Sequence, residues 1–488
     1  MKKKYNIKRY IPVVIAAIIF VCAYFLSSSI YEASFEQYIY SLLKSTGNSV
    51  SGFSYVFILG FFCTLVLSFI FIVPIYENRN VTIKGKNIFP IKNYKRYSRV
   101  IVILSIIYLG SCVGFFDYVG NRLRDTDLYK EHYVNPNDVD IKFPLNKQNL
   151  IYIYLESTET TNVSRDNGGI FEESIMPHLE DLALNNINFS NSNKLGGAVS
   201  SYGTGWTVAA MIAQTSGIPL KMKMDDYENN STSFSNITTL GDILGDAGYN
   251  SYLFMGSDAN FGCTSNFYKQ HGNFKIEDTT SLKKEGRLPQ DYHVFWGFED
   301  KKVFEFAKED LTEMAKSNQP FCMELVTIDT HTPDGYICDE CKHEYDSQYA
   351  NVISCQSRQV EAFVRWCQKQ EWYENTTIVI TGDHKSMSEK FFKHLDKNYL
   401  RTPYNCFINS AIEPLQPKNR KFAIFDFYPT ILASLGVQIK GEHLGLGTNL
   451  FSNEKTLLEK YGVKKINSEV AKYSQFYRKI LINKQKNV

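Results

Sequence analysis

Net charge is in short supply: 53 basic side chains face 51 acidic ones in 488 residues. A nucleic-acid binder carries a basic excess, so no nucleic-acid partner is expected. Cysteine is sparse as well, ten residues in all, too few for a small disulfide-held scaffold. No internal repeat or low-complexity tract is present. Disorder is excluded by what is abundant, with 44% apolar and 14% aromatic residues.

Charge is missing altogether from three apolar runs near the N-terminus, at about 11–30, 55–76 and 100–116. Each is long enough for a membrane-spanning helix, the third only just. No small-x-small cleavage site follows the first run, which reads as an uncleaved anchor. Lys2, Lys3, Lys4, Lys8 and Arg9 precede the first run, and Arg79, Lys84, Lys86, Lys92, Lys95, Arg96 and Arg99 follow the second. The loop between carries a single Lys44, with Glu32 and Glu36. Basic flanks stay in the cytoplasm, so the chain beyond Asp117 is expected outside it. The expected organisation is a membrane domain over 1–119, a juxtamembrane linker over 120–145, and one large domain over 146–488. In a bacterium this is a multi-pass plasma-membrane protein with its main domain extracytoplasmic.

The large domain alternates short apolar runs with amphipathic stretches. Leu150–Leu155, Tyr252–Met255, Cys322–Ile328 and Thr377–Ile380 read as strands buried on both faces. Met176–Leu184, Leu240–Ala247, Val303–Ala315, Gln356–Gln370 and Tyr428–Leu435 read as helices, with Gly248 and Gly436 as stops. The pattern predicts an α/β fold with a mostly parallel sheet and helices on both faces.

Ligands in such sheets bind beyond the carboxyl ends of the strands. One strand runs into Glu156, another into Asp329-Thr330-His331, a third into Thr381-Gly382-Asp383-His384. Carboxylate and imidazole together suit Mn²⁺ or Zn²⁺. A hydroxyl nucleophile is offered by Ser201-Tyr202-Gly203-Thr204-Gly205-Trp206-Thr207, which opens an apolar helix. Either threonine also reads as an N-cap of that helix.

These residues carry a resemblance. The segments YLEST at Tyr154–Thr158, GTGWTVAAMIAQTSGIPL at Gly203–Leu220 and HGNF at His271–Phe274 resemble the alkaline phosphatase/sulfatase superfamily. So do TIDTHTPDG at Thr327–Gly335, TGDHKS at Thr381–Ser386 and FDFYPTILASLG at Phe425–Gly436. Within it the chain is similar to membrane-anchored phosphoglycerol transferases: the lipoteichoic acid synthases and, more closely, the branch acting on periplasmic glucans. The resemblance implies one divalent metal, Mn²⁺ before Zn²⁺, held by Glu156, Thr204, Asp383 and His384. It favours Thr204 as the nucleophile, since Met211 follows it by seven positions and a second hydroxyl, Thr207, by three. His331 is implied to contact the substrate phosphate and protonate the leaving oxygen. Trp206 and Asp258 are the further substrate-contact candidates, whereas Trp296 reads as packing.

The implied reaction moves phosphoglycerol from phosphatidylglycerol to a glycan or polymer hydroxyl through a phosphothreonine intermediate. The Trp and Arg that bind glycerol phosphate in lipoteichoic acid synthases are replaced by Gly262 and Thr264, which favours a glycan acceptor. No C/S-x-P-x-R segment for formylglycine exists, which argues against sulfate-ester hydrolysis. The alternatives are phosphoethanolamine transfer, phosphodiester or phosphomonoester hydrolysis, and a catalytically inactive glycan-binding module. For Cys338, Cys341 and Cys355, with His343 nearby, the order of expectation is a disulfide, then unpaired thiols, then a Cys₃His zinc set.

Overall fold

The computed structural model describes residues 7–29, 35–36, 39, 54–76, 81–83, 86–89, 94–221, 234, 236–317, 319–396 and 398–478. Lys2, Lys3, Lys4, Glu32, Lys44, Arg79, Lys84 and Lys92, used above for orientation, lie outside the described residues. The chain divides into two compact units, residues 1–123 and 124–488.

In the first unit, α1 (Ile11–Ser29), α2 (Ser54–Tyr76) and α3 (Tyr94–Cys112) meet at Val13, Ile75 and Tyr97. A fourth helix, α4 (Phe115–Arg122), follows α3 at a bend of 72°. Gly114 makes the bend with φ 70°, a left-handed conformation that a side chain would strain. By length and apolarity α2 qualifies as a span over Leu59–Tyr76, and α3 with α4 qualifies if the bent pair is one span. The apolar part of α1, Ile11–Leu26, is shorter. The third expected run, 100–116, straddles the bend instead of forming one straight helix. Along α2, Phe61, Phe62, Val66 and Phe69 are all exposed.

The second unit is built on a six-stranded sheet. Its strands are β1 (Asn149–Leu155), β2 (Asn250–Met255), β3 (Lys275–Glu277), β4 (Phe321–Val326), β5 (Thr376–Gly382) and β6 (Asn405–Ile408). The spatial order is β3-β2-β4-β1-β5-β6, parallel throughout except for antiparallel β6. Every strand but β3 alternates between two cores. On β1, Leu150, Tyr152 and Tyr154 join one core, while Ile151, Ile153 and Leu155 join the other. The first core is closed by α6 (Thr207–Ser216) and α9 (Phe427–Ser434). The second is closed by α5 (Pro177–Asn185), α7 (Asp300–Met314) and α8 (Gln348–Cys367). The predicted α/β layering therefore holds.

Two features were not legible as elements. Edge strands β3 and β6 are short and lack a marked apolar run. The stretch 120–145, expected as a linker, is built into the second unit from Arg124 onward. Leu128 and Tyr129 are buried, and the Tyr129 hydroxyl donates to Val470 O at 3.3 Å. Thr126 donates to Glu469 at 2.7 Å. These partners sit over 300 residues away, so no local periodicity announces them.

Candidate active site

Strand register brings the site together. Leu155 pairs with Gly382 and Tyr154 with Val326, so β1, β4 and β5 end abreast. The next residues are Glu156 after β1, Thr327 after β4, and Asp383-His384 after β5. One ligand atom from each of Glu156, Asp383 and His384 falls within 4.8 Å of the others, and all three side chains are buried. His384 Nε2 lies 3.3 Å from Asp383 Oδ2 and 3.6 Å from Glu156 Oε1.

Each group is aimed by a hydrogen bond. Ser157 adopts φ 53°, which lets its N–H donate to Asp383 Oδ1 at 2.8 Å and its hydroxyl to Glu156 Oε1 at 2.6 Å. His384 Nδ1 faces Lys385 O at 2.8 Å. That contact puts the proton on Nδ1 and leaves the Nε2 lone pair toward the carboxylates. Behind them, Gln356 of α8 accepts from Thr158 at 2.6 Å and donates to Thr327 at 3.1 Å and Thr330 at 3.0 Å. One amide thus ties together the loops after β1 and β4.

The loop after His384 is anchored separately. Glu159, fully buried, accepts from Arg401 Nε at 2.9 Å and from Ser386 N at 2.9 Å. Arg401→Ala leaves that carboxylate buried without its cation, so a loss of about 3–5 kcal/mol is expected in urea unfolding. Arg401→Lys should recover only part of it, because the fork of two N–H donors is gone.

The electrostatics call for a cation. Burial pushes the Asp383 carboxyl up to about 7, and the neighbouring Glu156 charge adds to the effect. Burial also opposes ionisation of Glu156. The imidazoles of His331 and His384 and the hydroxyls of Ser157 and Thr207 outweigh it, and that carboxyl lies below its ordinary value. Burial lowers His384, but Asp383 and Glu156 reverse this and raise it overall. Asp383 Oδ2 is buried with no hydrogen-bond partner. An orphaned carboxylate oxygen beside a second carboxylate and an imidazole lone pair fits a divalent cation.

The two threonines are placed differently from expectation. Thr204 is fully buried, and its hydroxyl is spent on the Ser201 backbone, donating to O at 2.8 Å and accepting from N at 3.0 Å. Thr207, the first residue of α6, instead donates to Glu156 Oε2 at 3.0 Å and lies 3.5 Å from His384 Nε2. Of the expected ligands Glu156, Thr204, Asp383 and His384, the fold brings three together and sets Thr204 apart, with Thr207 beside them in its place. Gly203 (φ 77°) turns the chain so that Thr204 folds back on its own loop, while Trp206 is extended and delivers Thr207 to the strand ends.

His331 stands close enough for its charge to bear on Glu156, and its Nδ1 faces Thr332 O at 2.9 Å. Trp296, read from sequence as packing, is 42% exposed, with its ring centroid 4.8 Å from that of His331. Trp206 packs edge-on against Phe261 at 6.3 Å. Asp258 is exposed and accepts from Asn260 N at 2.8 Å within its own turn, so it is not brought into the cluster.

The sulfatase family model matches residues 148–437. Phosphoglycerol transferase I of Escherichia coli O139:H28 is 29% identical over 419 residues, covering 80% of this chain and 52% of that protein. Phosphoglycerol transferase I of Shigella flexneri is 29% identical over 374 residues, covering 73% of this chain and 46% of its own length. The chain thus spans about half the length of the curated relatives it matches. Among solved structures, the integral membrane protein lipooligosaccharide phosphoethanolamine transferase A of Neisseria meningitidis superposes with a TM-score of 0.52 at 13% identity. That superposition covers 89% of this chain and 85% of the other, and it shows a shared fold.

Proposed function

The chain belongs to the sulfatase family, and from that premise we propose that it is a phosphotransferase. It moves a phosphoglycerol group from phosphatidylglycerol to a hydroxyl of a cell-envelope glycan or polymer. The observation that carries this reading is the Thr207 hydroxyl, 3.0 Å from Glu156 at the edge of the Glu156, Asp383 and His384 cluster. The names of the relatives supply the transferred group.

Glu156, Asp383, His384 and Thr207 would hold one divalent cation, Mn²⁺ before Zn²⁺. Such a cation neutralises phosphoryl charge and lowers the pKa of a coordinated hydroxyl. Thr207 Oγ1 attacks phosphorus in line, with Glu156 Oε2 positioned to receive its proton. The P–O bond to diacylglycerol breaks, and His331 is assigned to protonate the departing oxygen. The acceptor hydroxyl then attacks the phosphoglyceryl-threonine and gives its proton to the now neutral His331, while Glu156 returns its proton to the departing Thr207 oxygen. Thr207 at the first turn of α6 also offers the substrate anion the partial positive end of a helix. Trp296 over His331 supplies an exposed aromatic face at the same edge.

The exposed phenylalanines of α2 suit a lipid environment, which supports membrane anchoring, and the basic flanks of the apolar runs favour an extracytoplasmic catalytic unit. Incubating the protein with phosphatidylglycerol, quenching, and mapping peptides by mass spectrometry tests the reading. A glycerol-phosphate adduct on Thr207 is expected. A phosphoethanolamine adduct from the matching lipid alone would reassign the donor, and turnover without any adduct on Thr207 would overturn the covalent route.

A further inference from the structure

The structure holds a second group of metal-ligating side chains. Cys338 and Cys341 lie on the irregular segment that follows His331, and Cys355 lies on α8. Cys338 Sγ is 3.5 Å from Cys341 Sγ and 3.8 Å from Cys355 Sγ, and all three sulfurs lie within 4.8 Å of one another. None of the three is disulfide-bonded. Sulfurs placed tetrahedrally around zinc, each about 2.3 Å from the metal, stand about 3.8 Å apart. The observed spacing is that of ligands around a common centre, far from the ~2.05 Å of a disulfide.

Hydrogen bonding around the sulfurs fits thiolates. The Cys341 N–H donates to Cys338 O at 3.1 Å, which closes the Cys-x-x-Cys turn. Gln359 Nε2 reaches Cys355 Sγ at 3.4 Å and Cys338 Sγ at 3.6 Å. Gln359 is itself over nine-tenths buried, and its Oε1 has no hydrogen-bond partner. A Cys-x-x-Cys turn, completed by a third cysteine from a helix, presents three soft donors to one point. His343, the expected fourth member, is exposed and is not in the group.

We propose that Cys338, Cys341 and Cys355 bind a zinc ion, with a fourth position filled by water or by Gln359 Oε1 after rotation of its amide. The ion would pin the segment that begins at His331 to the helix that carries Gln356. This makes it a structural site, separate from the Glu156, Asp383 and His384 cluster and independent of the reaction assigned to that cluster.

The test uses the full chain purified without chelator. Asp383→Ala/His384→Ala, which empties the other cluster, is expected to keep about one zinc per chain by elemental mass spectrometry. Cys338→Ser/Cys341→Ser/Cys355→Ser is expected to lose about one equivalent relative to the unaltered chain. Replacing zinc by Co²⁺ in the otherwise unaltered chain should give a thiolate-to-cobalt charge-transfer band, which requires no serine variant to fold. A disulfide between any two of these cysteines, found by alkylation and mass spectrometry of the unreduced protein, would sink the proposal. So would a cobalt-loaded protein without the charge-transfer band.

Discussion

Thr207→Ala is expected to cut the rate of transfer from phosphatidylglycerol by about 10³-fold or more, with the fold intact. The hydroxyl it removes donates to Glu156 at 3.0 Å but closes no core contact, and the side chain is only half-buried. Thr207→Ser keeps an oxygen at the same place and should retain measurable transfer. Thr204→Ala should behave in the opposite way. Its hydroxyl accepts from the Ser201 N–H and shares the Ser201 carbonyl with the Thr204 N–H, so its loss leaves one partly buried backbone donor without a partner. A cost of about 1–3 kcal/mol in stability is expected, with the rate per folded molecule within a few-fold of the unaltered chain. Initial rates normalised to folded protein, measured beside urea melts, separate the two. A folded Thr204→Ala protein without activity, beside an active Thr207→Ala protein, would reverse the assignment.

That contrast marks where sequence stops being informative. Glu156, Asp383 and His384 are legible because each directly follows an uncharged apolar run, and the ends of neighbouring parallel strands must lie near each other. The two threonines present the same local signal, a hydroxyl near glycine ahead of an apolar helix. Which one faces the strand ends depends on where α6 starts and how Gly203 turns the chain, and both are set by tertiary packing. Ser157 and Gln356 were missed for a related reason. A serine after a glutamate and a glutamine on an amphipathic helix carry no pattern of their own, and only the converging loops give them partners. Trp296 looked like packing because aromatic residues usually are, yet its ring covers His331 at the surface. The three cysteines were legible as a cluster by spacing, while their relation to one another was not.

Removing the divalent cation is expected to abolish transfer and to make stability strongly pH-dependent. Burial first, and the charge of Glu156 second, push the Asp383 carboxyl up from 3.8 to about 7 in the cation-free protein. The folded state then holds this proton more tightly than the unfolded chain does. The stabilisation is complete below about pH 4 and is lost as the pH rises through about 7. A shift of that size corresponds to a change of about 4 kcal/mol across the window. His384, raised by Asp383 and Glu156 against the opposing effect of burial, acts in the same direction, losing its contribution as the pH passes through its raised value. Glu156 is held below its ordinary value, so its own contribution is present above the normal carboxylate range and fades only in acid. Between about pH 4 and about pH 7 the Asp383 effect dominates, His384 acts in the same sense, and the cation-free protein should grow less stable. A bound cation favours the same carboxylates ionised, so the gain in stability on adding Mn²⁺ should grow over that range. Asp383→Asn should remove most of this pH-dependent gain and lower transfer by about 10³-fold. Urea melts in chelator and in excess Mn²⁺ at several pH values provide the measurement. Equal stabilisation by Mn²⁺ at the acidic and alkaline ends, or a gain unchanged in Asp383→Asn, would show that the ion binds somewhere other than between Glu156, Asp383 and His384.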